Sequence, residues 1–258
     1  MNDDKKQELA LWTPAPFQGV DLLPVQLGAK REDLIGRENV EAEDLILPSL
    51  KLLQGSSEEV KQGVEGARAG IFWHTGVSEG FKGPIRVLAC AHTKSRALFP
   101  KADRPEHQGL DECRSKDAKE GNRYGLCAEC PYSQWDDVNG RPPACSESHN
   151  FTVLTPFGPA VMRFQRTSIK AAKKLLTAWT MAQKNLFEHP LEVSTKTRTD
   201  KVNGADSTTH VMDTKWLQRE AVPPHVQDAA RGIYTQVMAA HAQGKFGTTD
   251  EGEPDEVG

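Results

Sequence analysis

The sequence predicts a mainly β fold with helices, of the α+β class: a small closed β-barrel, plugged by one helix and interrupted by a metal-binding loop. Three observations carry this. Short runs rich in β-branched and aromatic residues recur at 70–99, 150–167 and 191–212, bounded by Gly and Pro. An amphipathic helical pattern falls between the second and third groups, at 168–186. Four of the five cysteines crowd into a polar stretch between the first and second groups, at about 101–149.

Residues 1–44 carry Pro14, Pro16 and Pro24 among aperiodic charges and read as a flexible acidic arm, with Leu9–Trp12 and Phe17–Leu23 available to dock. The domain is expected to run over 45–246, starting near Asp44-Leu45-Ile46-Leu47-Pro48. Gly70–Gly76, Pro84–His92 and Ser95–Phe99 are its first strands, the last closed by Pro100. The stretch 101–149 is too long and polar for an ordinary loop and needs an organising element. Asn150–Thr155 and Ala160–Thr167 form a hairpin around Phe157-Gly158-Pro159. Thr167 or Ser168 then caps a helix, whose Ile169, Ala172, Leu175, Leu176, Trp179 and Leu186 share one arc. Leu191–Arg198 and Ser207–Met212 make a second hairpin, turning at Lys201-Val202-Asn203-Gly204. Pro223-Pro224 opens a last helix through Ala242, with Val226, Ala230, Ile233 and Val237 on one face and Gly244 ending it. Residues 247–258 are a disordered acidic tail. Such a string matches the OB-fold, a five-stranded barrel with a helix between its third and fourth strands. An antiparallel sheet with helices on one face would give a similar string.

Charge sharpens the picture. The chain has 258 residues, with 32 basic and 36 acidic side chains and a net charge of −4. That sum hides an asymmetry: residues 1–44 are −5, 82–104 are +5, 163–201 are +6, and 250–258 hold five acids and no base. A basic middle between acidic ends does not exclude a nucleic-acid partner. The longest apolar runs, such as Val87–Ala91, are far short of the roughly 20 residues that span a bilayer. Met1–Glu8 lacks the apolar core of a secretory signal, so a cytoplasmic location without membrane contact is expected.

The cysteines are spaced Cys113-x13-Cys127-x2-Cys130-x14-Cys145. Two thiolates separated by two residues fold back onto one ion, and flanking cysteines from returning loops complete a tetrahedral set. Structural Zn2+ held by Cys113, Cys127, Cys130 and Cys145 is the expectation, with His107 and His149 as alternative outer ligands. A redox pair or cysteines without a role are the competing readings. Four protein ligands leave no open position for substrate. Cys90, in a strand, reads as a small buried hydrophobe.

No phosphate-binding loop, nucleophile elbow or metalloprotease motif is present, and Cys127-Ala-Glu-Cys130 lacks the partner a zinc deaminase needs. Asp136-Asp137 beside Trp135 reads as a turn. No enzymatic activity is expected. The basic strands interleave cations with aromatics, the composition that follows a single-stranded phosphate backbone and stacks bases. Arg86, Lys94, Arg96, Phe99, Lys101, Arg163, Phe164, Arg166, Lys196, Arg198 and Trp216 are the candidate DNA-binding residues. Trp73, Phe164 and Trp179 compete for core positions.

Basic OB-like core, cysteine insertion and acidic tail together resemble a bacteriophage-type single-stranded-DNA-binding protein. Leu47-Pro48-Ser49-Leu50-Lys51-Leu52-Leu53-Gln54-Gly55 resembles the opening of such phage replication or recombination accessory proteins. So does Cys127-Ala-Glu-Cys130-Pro131 followed by Trp135 and Cys145. The resemblance covers roughly 45–258. It implies sequence-independent binding of single strands in replication, recombination or repair, without catalysis, in the host cytoplasm. It also implies replication or recombination partners for the tail. Tails of that family often end in an aromatic residue, whereas this one ends Glu256-Val257-Gly258. A zinc-ordered protein-interaction module and a nuclease are the alternative functions. Oligomeric state is open.

Overall fold

The computed structural model describes residues 20–21, 47–100, 107–202 and 205–244. Most of the expected arm and all of the expected tail lie outside them, as does Lys101. The strands expected at Pro84–His92 and Ser95–Phe99 are one 14-residue strand, Ile85–Leu98, bulged between Ala89 and Ala91. The bulge absorbs Cys90 and reverses the alternation: Val87 and Ala89 face the side of Val153 before it, and His92, Lys94 and Arg96 face that side after it.

In chain order the elements are β1 (Val20–Asp21), β2 (Leu50–Leu52), α1 (Glu58–Lys61), β3 (Phe72–His74), β4 (Glu79–Phe81) and β5 (Ile85–Leu98). The cysteine stretch supplies β6 (Cys113–Ser115), β7 (Glu120–Gly121) and β8 (Gly125–Leu126). Then come β9 (Ser146–Thr155), β10 (Gly158–Gln165), α2 (Ile169–Ala182), β11 (Leu191–Val202), β12 (Ala205–Trp216) and α3 (Pro224–Ala242). The main sheet has the order β10-β9-β5-β11-β12, with β1 and β6 also on β5. Its neighbours along that path are all antiparallel. β2-β3-β4 form a small separate antiparallel sheet.

The architecture is antiparallel β with a few helices, and the expected closed barrel is not found. Among the described residues β10 and β12 do not pair with each other. The chain on either side of β2, at Pro48 and Gln54, spans the gap instead. Val161 on β10 donates its N–H to the Pro48 carbonyl at 2.8 Å. On β12, the His210 backbone N–H and C=O both bond the Gln54 side-chain amide, each at 2.9 Å. A side chain that mimics a strand's hydrogen-bonding edge satisfies groups that would otherwise be orphaned there.

Helices cover both faces of the sheet. On one, Ala172, Leu175 and Trp179 of α2 pack with Phe151, Val153, Met162 and Phe164, and with Leu50, Phe72 and Phe81 of the small sheet. On the other, Val226 and Ala230 of α3 pack with Leu88, Cys90, Leu154, Phe187 and Val222. A barrel plugged by one helix underestimates this: α3 is a second lid, on the opposite face. The apolar arc of α2 is the one its periodicity predicts. The helix stops earlier than expected, because Gln183 adopts a left-handed φ of 53°, and the Gln183 and Lys184 N–H groups cap the Thr180 and Trp179 carbonyls.

Candidate functional site

The cysteine stretch is built onto the far end of β5. β6 pairs there, setting Cys113 opposite Leu98, while Cys145 immediately precedes β9 on the other side of the same strand. Cys127 and Cys130 occupy a knuckle after β8. The Ser133 hydroxyl stands between the Cys127 and Cys130 carbonyls, 2.8 Å from the latter. The Cys145 N–H donates to the Tyr132 carbonyl at 2.8 Å, tying the returning strand to the knuckle. A Cβ at Gly121 would lie 2.6 Å from the Cys113 sulfur, so glycine is needed there.

All four thiols are buried and unbridged and line one cavity with Arg96, Leu98 and Tyr132. Cys113 and Cys145 pack with buried Leu98, and half-buried Leu110, Tyr124, Tyr132 and Ala144 lie against that cluster. Burial pushes the Cys145 thiol up to about 11; Arg96 opposes the shift, and Cys127, Cys113 and Cys130 add to it. Four thiols in one cavity are a donor set that suits a thiophilic cation such as zinc. Among the described residues, however, no group of three or more His, Cys, Asp or Glu side chains is spaced as a formed metal site. His149 is engaged elsewhere, 3.0 Å from His92 and 3.1 Å from Glu147. His107 is buried but is not among the residues lining the cavity.

Asp136 makes the turn expected of it: its carboxylate accepts from the Val138 and Asn139 N–H groups and the Asn139 side chain, and its backbone bridges Arg141.

The candidate DNA-binding residues separate into three sets. Lys94, Arg166, Lys196 and Arg198 are exposed. Arg96, Arg163, Phe99 and Trp216 are half-buried. Arg86 and Phe164 are buried, at 1% and 0% exposure, and cannot touch a ligand on the surface. Arg86 lies 3.3 Å from Glu220, on the α3 side of β5. Phe164 meets Phe151 edge-on, inside the α2 core. The Trp216 ring lies edge-on to Trp179 and His189, at 6.1 and 5.3 Å. Phe99 has the Arg114 guanidinium 5.1 Å from its ring centre.

Strand alternation also divides the cations. Lys94 and Arg96 share a face with Phe151, the α2 side, through their partners His149 and Glu147. Arg163 points to the α3 side, where its Nε donates to Asn150 Oδ1 at 3.3 Å. Several charges are already matched. Glu147 lies 2.7 Å from Arg96 and 3.7 Å from Lys173, and these cations hold its carboxyl below the usual range despite its burial. Lys196 lies 2.5 Å from Asp213.

Sequence reasoning missed Trp135 as a surface aromatic. It is 56% exposed, near the exposed Leu126 and Val138 in sequence. Its signal was there, an indole in a run of turn-forming polar residues with no apolar partner at strand or helix spacing.

A protein built on an antiparallel β-sheet with a few helices and a cysteine-rich insertion is the class these features describe. The chain belongs to the Pam3 phage gp34-like protein family, whose model matches residues 17–243. No curated protein and no solved structure matches it. Among the described residues no helix is long and apolar enough to cross a membrane.

Proposed function

We propose that this protein binds single-stranded DNA without sequence preference and without catalysis, in phage replication, recombination or repair in the host cytoplasm. The observation that carries the reading is the strand order β10-β9-β5-β11-β12 with α2 between β10 and β11. Taking β5, β9, β10, β11 and β12 as strands one to five, that is the order and helix placement of an OB-fold. The barrel is left open, and the chain flanking β2 fills its seam. The insertion then falls between strands one and two, a loop that OB-folds use for ligands. Structural Zn2+ bound by Cys113, Cys127, Cys130 and Cys145 orders that insertion. Lys94, Arg166, Lys196 and Arg198 are the exposed cations that would meet phosphates, with Arg163 and Phe99 beside them. Lys101 belongs to the same basic stretch.

Fluorescence anisotropy with labelled oligonucleotides tests this. If four cations engage phosphates, log Kd should change with log salt at a slope of about 3, near 0.7 per contact for single strands. Single strands should outcompete duplex of equal length. Binding that ignores salt, or prefers duplex, overturns the proposal.

A second reading, a zinc-ordered protein-interaction module, is favoured by one observation. Residues 107–145 carry seven acids against five bases. They also expose Leu126, Trp135 and Val138. That surface suits a partner protein better than a phosphate backbone. Unchanged anisotropy in Trp135→Ala, with loss of a pulled-down phage protein, would assign this loop to protein contacts.

A further inference from the structure

Two of the exposed cations assigned to phosphates, Lys94 and Lys196, lie on opposite flanks of α2, and α2 itself carries charge between them. Ile169–Ala182 includes Lys170, Lys173 and Lys174 and no acid. All three lysines are exposed and fall in the N-terminal half of the helix. Helical period sets Lys170, with Thr177, opposite the buried Ala172, Leu175 and Trp179, on the outward midline. Lys173 falls to one side of that line and Lys174 to the other. On its side Lys173 lies 3.7 Å from Glu147, which Arg96 approaches at 2.7 Å. Burial raises the Glu147 carboxyl, and Arg96, Lys173 and Lys94 together bring it below the usual range. On the other side α2 is seated on β12, where Thr214 Oγ1 donates to the Ala171 carbonyl at 3.2 Å. There Lys196, 2.5 Å from Asp213, and more weakly Lys174 hold that carboxyl low. Among the described residues Lys170 has no ion pair. The helix gains no stability from this pattern. Cations at a helix N-terminus oppose its dipole, and lysines three and four residues apart repel. α1 has the favourable arrangement, with Glu58 and Glu59 in its first turn and Lys61 in its last. A costly cluster of cations on a face the core does not use points to an anionic ligand.

We propose that single-stranded DNA crosses the outer face of α2, its phosphates met in turn by Lys94, Lys173, Lys170, Lys174 and Lys196. This path rests on the single-strand reading above and adds the three helix lysines to it. It lets Lys94 on β5 and Lys196 on β11 serve one strand, because α2 bridges the space between them. Lysine suits the task, as a point charge on a flexible stem follows phosphates without reading bases. A helix with its side chains is a ridge about 10–12 Å across, which a flexible single strand can follow and a stiff duplex cannot. The surface is separate from the strands and loops by which OB-folds hold oligonucleotides.

Anisotropy of labelled oligothymidine across a salt series compares three full-length chains: the parent, K170A/K173A/K174A, and the control R68A/R219A/R231A. The control removes three exposed arginines outside the band. The α2 variant should lose about 2 from the salt slope, near 0.7 per phosphate contact, and bind about tenfold more weakly at low salt. The control should keep values close to the parent's. The urea midpoint of the α2 variant should equal or exceed the parent's, because the lysines it lacks oppose the helix dipole. If the parent binds and the α2 variant binds equally well, or the control loses as much, the path is overturned while the DNA-binding reading stands. A parent that does not bind single strands overturns both. Lysine acetylation read by mass spectrometry tests the unaltered chain. Excess oligothymidine should protect Lys170, Lys173 and Lys174 several-fold, while Lys184, just past the end of α2, stays reactive. Labelling of the three that DNA does not change overturns the path.

Discussion

Arg86 shows what a single strand position decides. In sequence it is one more cation in a basic run. In the fold it sits between Ile85 and Val87, which face the α2 core, so alternation turns it to the opposite side against Glu220. A half-buried carboxylate beside a fully buried guanidinium makes the pair structural, and its removal destabilising, since an uncompensated charge would stay in the interior. His92 sits at a comparable point. Burial, with His149 and Lys94 close by, pushes it down to about 4. The unfolded chain takes up that proton near 6.5 and the folded chain only near 4. Below 6.5 the unfolded state therefore binds more protons, and stability falls as pH drops through this window. Urea midpoints measured from pH 7 to pH 4 should decline, and His92→Gln should decline less steeply. A parallel pair of curves would count against this role.

Among the elements, the helices and hairpins were the most legible. The arcs of α2 and α3 follow from the positions of Leu175, Trp179, Val226 and Ala230, because helical period alone selects the buried side. The stacking reading of Phe164 fails for a different reason. Phe164 alternates correctly with Arg163, but alternation does not say which side of a sheet is covered, and here both are. The bulge at Cys90 and the early stop at Gln183 have no strong residue signature, so element bounds shifted. The cysteine insertion was legible by spacing, and its sulfurs do converge on one cavity. Cys127→Ser or Cys130→Ser should release that insertion without unfolding the sheet. Limited proteolysis should then cut within 107–145, while β9 and β10 stay protected. Metal analysis of the purified parent chain should give one zinc per chain, and no bound metal would remove the zinc assignment.

At the scale of the molecule, an acidic arm, basic strands and an acidic tail remain the dominant charge pattern. A tethered polyanion competes for a cationic surface at high effective concentration. A chain ending at Thr249 should therefore bind single strands more tightly than the full chain, most visibly at low salt. Equal affinities would leave the tail a solubility device. α3 ends close to the cysteine insertion, with His241 Nε2 3.0 Å from the Lys116 carbonyl and Lys116 Nζ 2.7 Å from the Gly244 carbonyl. The acidic C-terminal segment is therefore tethered to the domain beside that insertion.

The chain that spans the gap between β10 and β12 has a consequence for synthesis. Pro48 and Gln54 leave the ribosome more than a hundred residues before Val161 and His210, the groups they satisfy. Such distant contacts form late, after the loop entropy of the intervening chain has been overcome. During translation this apolar stretch, with Leu50, Leu52 and Leu53 all destined for burial, has only β3 and β4 to pair with until the main sheet emerges. It is the part of the nascent protein most in need of a chaperone, and the last to become safe.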